Sequence, residues 1–528
     1  MRVLFVNPLP WENITKEGRV IIPLNVTFEP FRLPLSMCLA AAAVRHWNPG
    51  VEVEILDCQA KGMDRGALAA RLAGLRPDLT VINISSPTLD SDLDAARAAR
   101  AAGSRVAVFG QHAQALPEHL LKTEADIDFA MTGEPERASA DLVARLREGG
   151  SGVGVPGICA RDSGGEPRVT VQGEPMEVDA LPWPARDLVD QDLYRLPDGP
   201  RYTSVLASRG CPFDCPFCLA PGMHGRRVRY RDPAGLVAEV RELARGEGIR
   251  SFLFQADLFT AKRSWVMEVC RRLREEVPGI RWICNSRVDT LDYDLLRTMR
   301  DAGLFLLTFG LESGDPEMLR VLGKSQTSPE DIRRTVGQCA ELGIKTNGSF
   351  VIGHPGETRE TLARTRDLIL SLPLDMAVLM CSTPHPGTPL YDELSEGDGF
   401  LTEEFTDYTF NRYVVRGTDL TPDEIAAFIK EVRFRFYASP RYVLRRLRDL
   451  RHPVAFLRTT HFAIKRLIAS RRGFRPPESI HRTQRHAGVE SNFDAQRNPH
   501  GEGHHRGPVR TSRYRFATGQ ADRSVISS

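Results

Sequence analysis

Short apolar runs alternate with amphipathic stretches along most of the chain. In the first 150 residues, the runs at 3–6, 51–56, 79–84, 105–109 and 127–130 read as buried strands. They are rich in β-branched and other apolar residues and too short for core helices. Ala- and Leu-rich stretches at 35–45, 67–75 and 89–102 fall between them. Strand–helix alternation predicts a parallel, doubly wound sheet, whose ligands bind outside the C-terminal strand ends. Residues 151–200 are rich in Gly and Pro, include Leu181-Pro182-Trp183-Pro184, and read as a linker. A second alternating series follows over 201–400, with strands at 202–207, 251–255, 280–284, 304–309, 345–352 and 375–381. Its helices fall at 233–244, 264–276, 293–301, 329–342 and 358–370, the first opened by the capping pair Asp232-Pro233. Six βα units predict a partial (βα)6 TIM-like barrel rather than a closed ring of eight. Residues 401–472 read as a C-terminal helical region, and 473–528, poor in apolar residues, as a disordered tail. The expected fold class is therefore α/β, with a doubly wound N-terminal domain over 1–150 and the barrel over 201–400.

Composition refines this picture. Hydrophobic residues make up 41% of the 528, enough for large cores. The formal net charge of +2 argues against a wholly basic nucleic-acid binder, and no base-recognition module is visible. That total conceals a split, because residues 433–528 hold 21 Lys/Arg against 6 Asp/Glu. Over 441–472, ten basic residues and one Asp interleave with apolar positions such as Leu444, Leu447 and Leu450. Such a pattern suits either a membrane surface or an apolar stripe covering the barrel with solvated arginines. Ten cysteines are too sparse for a disulfide scaffold. The apolar run at the N-terminus is too short for a signal peptide, and no apolar run reaches membrane-spanning length. The expected location is a reducing cytoplasm, with the apolar stripe covering the barrel and peripheral membrane contact through the basic helices as the alternative.

The strongest chemical signal is Cys211-Pro212-Phe213-Asp214-Cys215-Pro216-Phe217-Cys218, directly after a strand. Three thiolates on one tight loop can hold three irons of a cubane 4Fe–4S cluster and leave the fourth iron open. Zinc normally takes four ligands, and no second cysteine pair supplies them. The triplet, with an aromatic residue before its last cysteine, resembles the signature of the radical S-adenosylmethionine (SAM) family. The resemblance continues in order through the domain. Gln255-Ala256-Asp257 resembles the second-strand end, with Ala256 replacing one of two usual acids. Asn285-Ser286-Arg287 resembles the third-strand end, and Gly310-Leu311-Glu312-Ser313-Gly314 the fourth. Gly353-His354-Pro355-Gly356-Glu357-Thr358 and Pro386-Gly387-Thr388-Pro389-Leu390-Tyr391 resemble two further segments. The resemblance implies Cys211, Cys215 and Cys218 as cluster ligands and Asp257, Arg287 and Glu312 as SAM contacts. It also implies reductive cleavage of SAM to a 5′-deoxyadenosyl radical that abstracts a substrate hydrogen. His354 stands where an apolar residue is usual and is either a proton donor near the substrate or a turn residue.

The N-terminal domain resembles the cobalamin-binding domain of many such enzymes. Ser85-Ser86-Pro87-Thr88, Gly110-Gln111-His112 and Gly133-Glu134-Pro135-Glu136 follow its third, fourth and fifth strands. By resemblance Ser85, Thr88, Gly110 and Gly133 are cobalamin contacts, although Gln111 replaces the second glycine of a usual Gly-Gly pair. The first strand end, Asn7-Pro8-Leu9-Pro10-Trp11, lacks the motif that brings a histidine to cobalt. The expectation is a cobalamin-dependent radical SAM C-methyltransferase acting on a small-molecule substrate, with a reductant such as flavodoxin or ferredoxin. The layout also resembles the anaerobic magnesium-protoporphyrin monomethyl ester cyclase, which makes an oxidative cyclase the alternative. A binding protein without turnover is the expectation from a third class.

Overall fold

The computed structural model describes residues 1–9, 14–17, 20–23, 32–171, 175–196 and 198–447. The basic segment 448–472 and the tail 473–528 lie outside the described residues.

The first sheet has seven strands in the order Glu52–Asp57, Arg2–Asn7, Leu79–Asn83, Arg105–Phe109, Phe129–Met131, Ile158–Arg161 and Pro167–Val169. The first five are parallel. Alternate residues of one strand enter different cores, Val3 and Phe5 one, Leu4 and Val6 the other. Helices Leu35–Trp47 and Pro135–Arg147 pack on the first face, and Arg65–Leu75 and Leu89–Ala101 on the second. This is the doubly wound arrangement, buried on both faces as its continuous apolar strands require.

Part of the segment expected to be a linker belongs to this sheet. Ile158–Arg161 and Pro167–Val169 extend it as an antiparallel hairpin. A hairpin needs no crossover helix, so it leaves no strand–helix alternation in the sequence to detect. Further along the same segment, the Tyr194 hydroxyl donates to Asp57 Oδ2 at 2.8 Å.

The second sheet has six parallel strands in sequence order: Thr203–Leu206, Ser251–Gln255, Arg281–Ser286, Leu304–Glu312, Lys345–Ile352 and Met376–Cys381. Its first and last strands are not paired with each other among the described residues, so the sheet is open. Asp232 accepts from Gly235 N at 3.0 Å and Pro233 opens the helix, as the sequence suggests. One face carries Phe252, Phe254, Trp282, Cys284, Leu307, Phe309, Phe350 and Ile352 into a single core with the helices. Helix Pro422–Tyr437 joins that core through Ile425, Ile429, Val432 and Phe436 and lies along the sixth strand, where Tyr437 Oη meets the Ala377 backbone.

The other face is divided along its length. Towards the strand beginnings, Leu253, Ile283 and Phe305 pack against the N-terminal domain core. Towards the strand ends, Asn285, Thr308, Gly310, Ser349 and Met380 are only half-buried. The closed beginning and open end leave a polar chamber beside the C-terminal strand ends, the side where βα loops build active sites.

Candidate active site

The cysteine loop leaves the sheet through a short neck, in which Ser208–Arg209 pairs antiparallel with Arg229–Tyr230. Gly210 follows at φ +93 with the Arg227 carbonyl against it, so a side chain there would collide with backbone. Its N–H donates to Asp257 Oδ2 at 2.6 Å, and the Cys211 N–H donates to Gly225 O at 3.1 Å. Cys211, Cys215 and Cys218 are part-exposed, whereas the other seven cysteines are buried. Burial still pushes the three thiols up, Cys218 to about 12, and Lys324 and Arg287 oppose the rise at Cys215. No three metal-ligating side chains among the described residues converge on one ion. Three accessible thiols spread over one loop fit a cluster in which each cysteine takes a different iron.

The expected SAM contacts gather round this loop, each already paired. Asp257 braces its entry, accepting from Gly210 N and from His224 Nδ1 at 3.1 Å. Arg287 is clamped by Asp289 at 2.9 and 2.7 Å, lies 3.6 Å over the Phe213 ring and reaches Cys215 Sγ at 3.5 Å. Glu312 ends its strand at φ +62, beside a register shift, and pairs with Lys324 Nζ at 3.3 Å. A left-handed backbone at a non-glycine residue is strain of the kind that collects at functional sites. Lys324 also donates to Gly310 O at 3.3 Å. Its neighbour Gly323, at φ +74, has the Cys215 Cα 2.9 Å from where a Cβ would stand. Sequence reasoning gave no role to His224, Asp289 and Lys324, because a single polar residue has no period or spacing to announce its partner.

The two histidines at the last strand ends are buried. His354 Nδ1 lies 3.2 Å from Ser382 Oγ, and burial pushes its pKa down to about 3. His385 has neither ring nitrogen partnered among the described residues, and burial pushes it down to about 4. Both are neutral imidazoles near pH 7 and can offer or accept a hydrogen bond, but not a standing charge. The turn carrying His385 leads into Leu390, whose N–H donates to Pro216 O of the cysteine loop at 3.0 Å.

The N-terminal domain presents its strand ends to the same loop. Glu134, after the fifth strand, pairs with Arg209 at 2.9 Å and with Arg229. Arg209 also meets Glu136 at 2.5 Å, and Arg229 reaches Met176 O at 2.5 Å. Two arginines of the cysteine-loop neck are thus buried against two glutamates of the first domain. Gln114 Nε2 donates to Gly222 O beyond the cysteines at 3.2 Å, and His112 meets the Phe405 ring edge-on. The hydroxyls of Ser85 and Thr88 lie 2.5 Å apart, and Thr88 Oγ1 donates to Asp92 Oδ2 at 2.6 Å. Gly110, at φ +109, turns the chain into helix Gln111–Ala115, and Gly133 is buried beside the ion cluster. Gln111 is buried with both amide atoms unpartnered among the described residues. This orphaned amide and the crevice at the strand ends fit a bulky polar cofactor at the seam.

The described domain is an open six-stranded βα sheet with three part-exposed cysteines on the loop after its first strand. Residues 205–369 match the family model of the radical SAM superfamily. Residues 205–369 thus form a radical SAM domain, the kind of unit that holds a 4Fe–4S cluster and SAM. An uncharacterized methyltransferase of Pyrococcus horikoshii is 28% identical over 419 residues, 78% of this chain and 89% of that protein. The anaerobic magnesium-protoporphyrin IX monomethyl ester cyclase of Cereibacter sphaeroides is 27% identical over 399 residues, 73% of this chain and 64% of that enzyme. Among solved structures, the radical SAM methyltransferase TsrM from Kitasatospora setae, with cobalamin and a 4Fe–4S cluster bound, shares the fold. Its TM-score is 0.64 at 20% identity, covering 82% of this chain and 90% of TsrM. The cobalamin-dependent radical enzyme OxsB, with aqua-cobalamin and SAM bound, has a TM-score of 0.66 at 16% identity and covers 86% and 72%.

Proposed function

We propose that this chain is a cobalamin-dependent radical SAM C-methyltransferase. It acts in the cytoplasm on an unactivated carbon of a small metabolite, lipid or natural-product intermediate. The observation that carries the reading is the seam. The strand ends of the doubly wound domain, where such sheets bind ligands, close directly onto the cysteine loop through the buried Glu134–Arg209–Glu136 and Glu134–Arg229 pairs. A cofactor held there and a substrate in the polar chamber would share one space. The cluster with SAM supplies hydrogen abstraction when bound, and cobalamin supplies a methyl carrier. The chain's own part is to hold and orient. Cys211, Cys215 and Cys218 hold the cluster, and Asp257 and His224 fix the loop entry. Arg287 and Glu312 would contact SAM near the cysteine loop, and the neutral His354 and His385 lie buried at the last strand ends. Homology to a protein named as a methyltransferase and fold likeness to TsrM support this reading.

The test is anaerobic reconstitution with a flavodoxin or ferredoxin reductant, methyl-labelled SAM and candidate substrates. The expected result is labelled product with equal 5′-deoxyadenosine and S-adenosylhomocysteine. Formation of 5′-deoxyadenosine with no S-adenosylhomocysteine and no label in product would leave the oxidative cyclase, which the cyclase homology favours as the second reading.

A further inference from the structure

Gln111 stands where the cobalamin-domain resemblance has a second glycine. It is 2% exposed, and neither its Oε1 nor its Nε2 has a partner among the described residues. Its neighbours are satisfied: His112 Nδ1 lies 2.9 Å from Ser86 Oγ, and Gln114 donates to Gly222. A buried amide with both halves unpaired is costly, and rare unless a ligand satisfies it. The position is the end of the central strand Arg105–Phe109, just past Gly110, on the helix that touches the cysteine-loop segment. That places Gln111 at a C-terminal strand end, the side on which doubly wound sheets take their ligands.

We propose that the Gln111 side chain recognises the corrin ring of cobalamin by pairing with one of its peripheral primary amides. An amide is the partner that fits, because it offers one acceptor and one donor side by side, as the glutamine does. Gln111 is then a binding residue that replaces the close backbone approach a glycine would allow with a side-chain contact. This assignment rests on the cobalamin reading above.

The experiment uses the full chain with its cluster reconstituted, and hydroxocobalamin and cobinamide as probes, with binding read by equilibrium dialysis and the visible spectrum. Gln111→Met, close in size and apolar, is expected to weaken binding of both probes by about tenfold or more. The same variant is expected to raise the melting temperature of the cobalamin-free protein by about 2 °C or more, because the orphaned amide is gone. Gln111→Met binding both probes as tightly as the wild type overturns the proposal, as does Gln111→Gly binding them more tightly, which would mean the side chain only crowds the site. Loss with hydroxocobalamin but not with cobinamide overturns the corrin assignment and points to the nucleotide tail. An unchanged or lowered melting temperature overturns the claim that the amide is orphaned. If the wild type binds neither probe, the cobalamin reading itself fails, and that outcome is distinct from all the others.

Discussion

Glu134→Gln is the perturbation that bears most directly on the seam between the domains. Its carboxylate is buried between Arg209 and Arg229, and Arg209 is shared with Glu136. Side-chain exposure is 4% for Arg209 and 1% for Glu136, so solvent screening is slight. Burial pushes Glu134 up, but Arg209, Arg229 and His224 outweigh it and hold the pKa at about 2 against the usual 4.5. That difference corresponds to about 3 kcal/mol in favour of the folded state at neutral pH. The sign follows from the lowered value: the contribution is complete above pH 4.5 and is lost as pH falls towards 2. Glutamine keeps the shape and leaves two buried guanidinium groups facing one carboxylate, a loss of about 3–5 kcal/mol. Urea unfolding at pH 7, followed by tryptophan fluorescence, measures it as the midpoint shift of one transition, since a multidomain chain need not unfold in a single step. A double-mutant cycle with Arg229→Gln is expected to give a coupling energy above about 1 kcal/mol. A variant within about 0.5 kcal/mol of the wild type would refute the reasoning, because that is the range of an ordinary surface change. So would an acid-unfolding profile between pH 4.5 and 2 that is the same with and without the carboxylate.

Three further outcomes follow from the geometry. Gly323→Ala places a methyl 2.9 Å from Cys215 Cα at a left-handed residue, so iron bound per chain should fall while circular dichroism is retained; equal iron would contradict the close approach. Glu312→Gln removes a buried acceptor facing the cluster loop and should weaken SAM binding about ten- to a hundredfold by calorimetry, whereas an unchanged Kd would remove Glu312 from the SAM site. Burial pushes Glu357 up to about 8, with its Oε1 unpartnered, so the folded state loses stability as pH rises from 4.5 to 8. Glu357→Gln should therefore flatten the thermal stability profile over that window and raise the melting temperature at pH 7, and a parallel profile would show that the carboxyl is not held neutral.

The linear sequence by itself determined most of the strands and helices and singled out the cysteine triplet. Parallel strands buried on both faces read as mostly apolar runs, so 79–84 marks its own position and Leu79–Asn83 forms there. Three thiols that share one loop must sit close in the chain, so Cys211, Cys215 and Cys218 are legible from spacing alone. What only the tertiary structure decided is the company each charge keeps. Glu134 and Arg209 lie 75 positions apart in sequence yet 2.9 Å apart in space. Lys324 reaches back to Glu312 past helix Pro316–Val321, and His224 reaches Asp257 from the far end of the cysteine loop. The hairpin Ile158–Arg161 and Pro167–Val169 escaped notice for a related reason, since its partner is a strand edge created only when the sheet forms. Within the loop after the third strand, the same packing sets the Ser85 and Thr88 hydroxyls 2.5 Å apart and the Thr88 hydroxyl on Asp92. Hydrophobic periodicity reports which face of an element is buried. Ion pairs, orphaned amides and seams depend on distances between elements, and the chain acquires those only on packing.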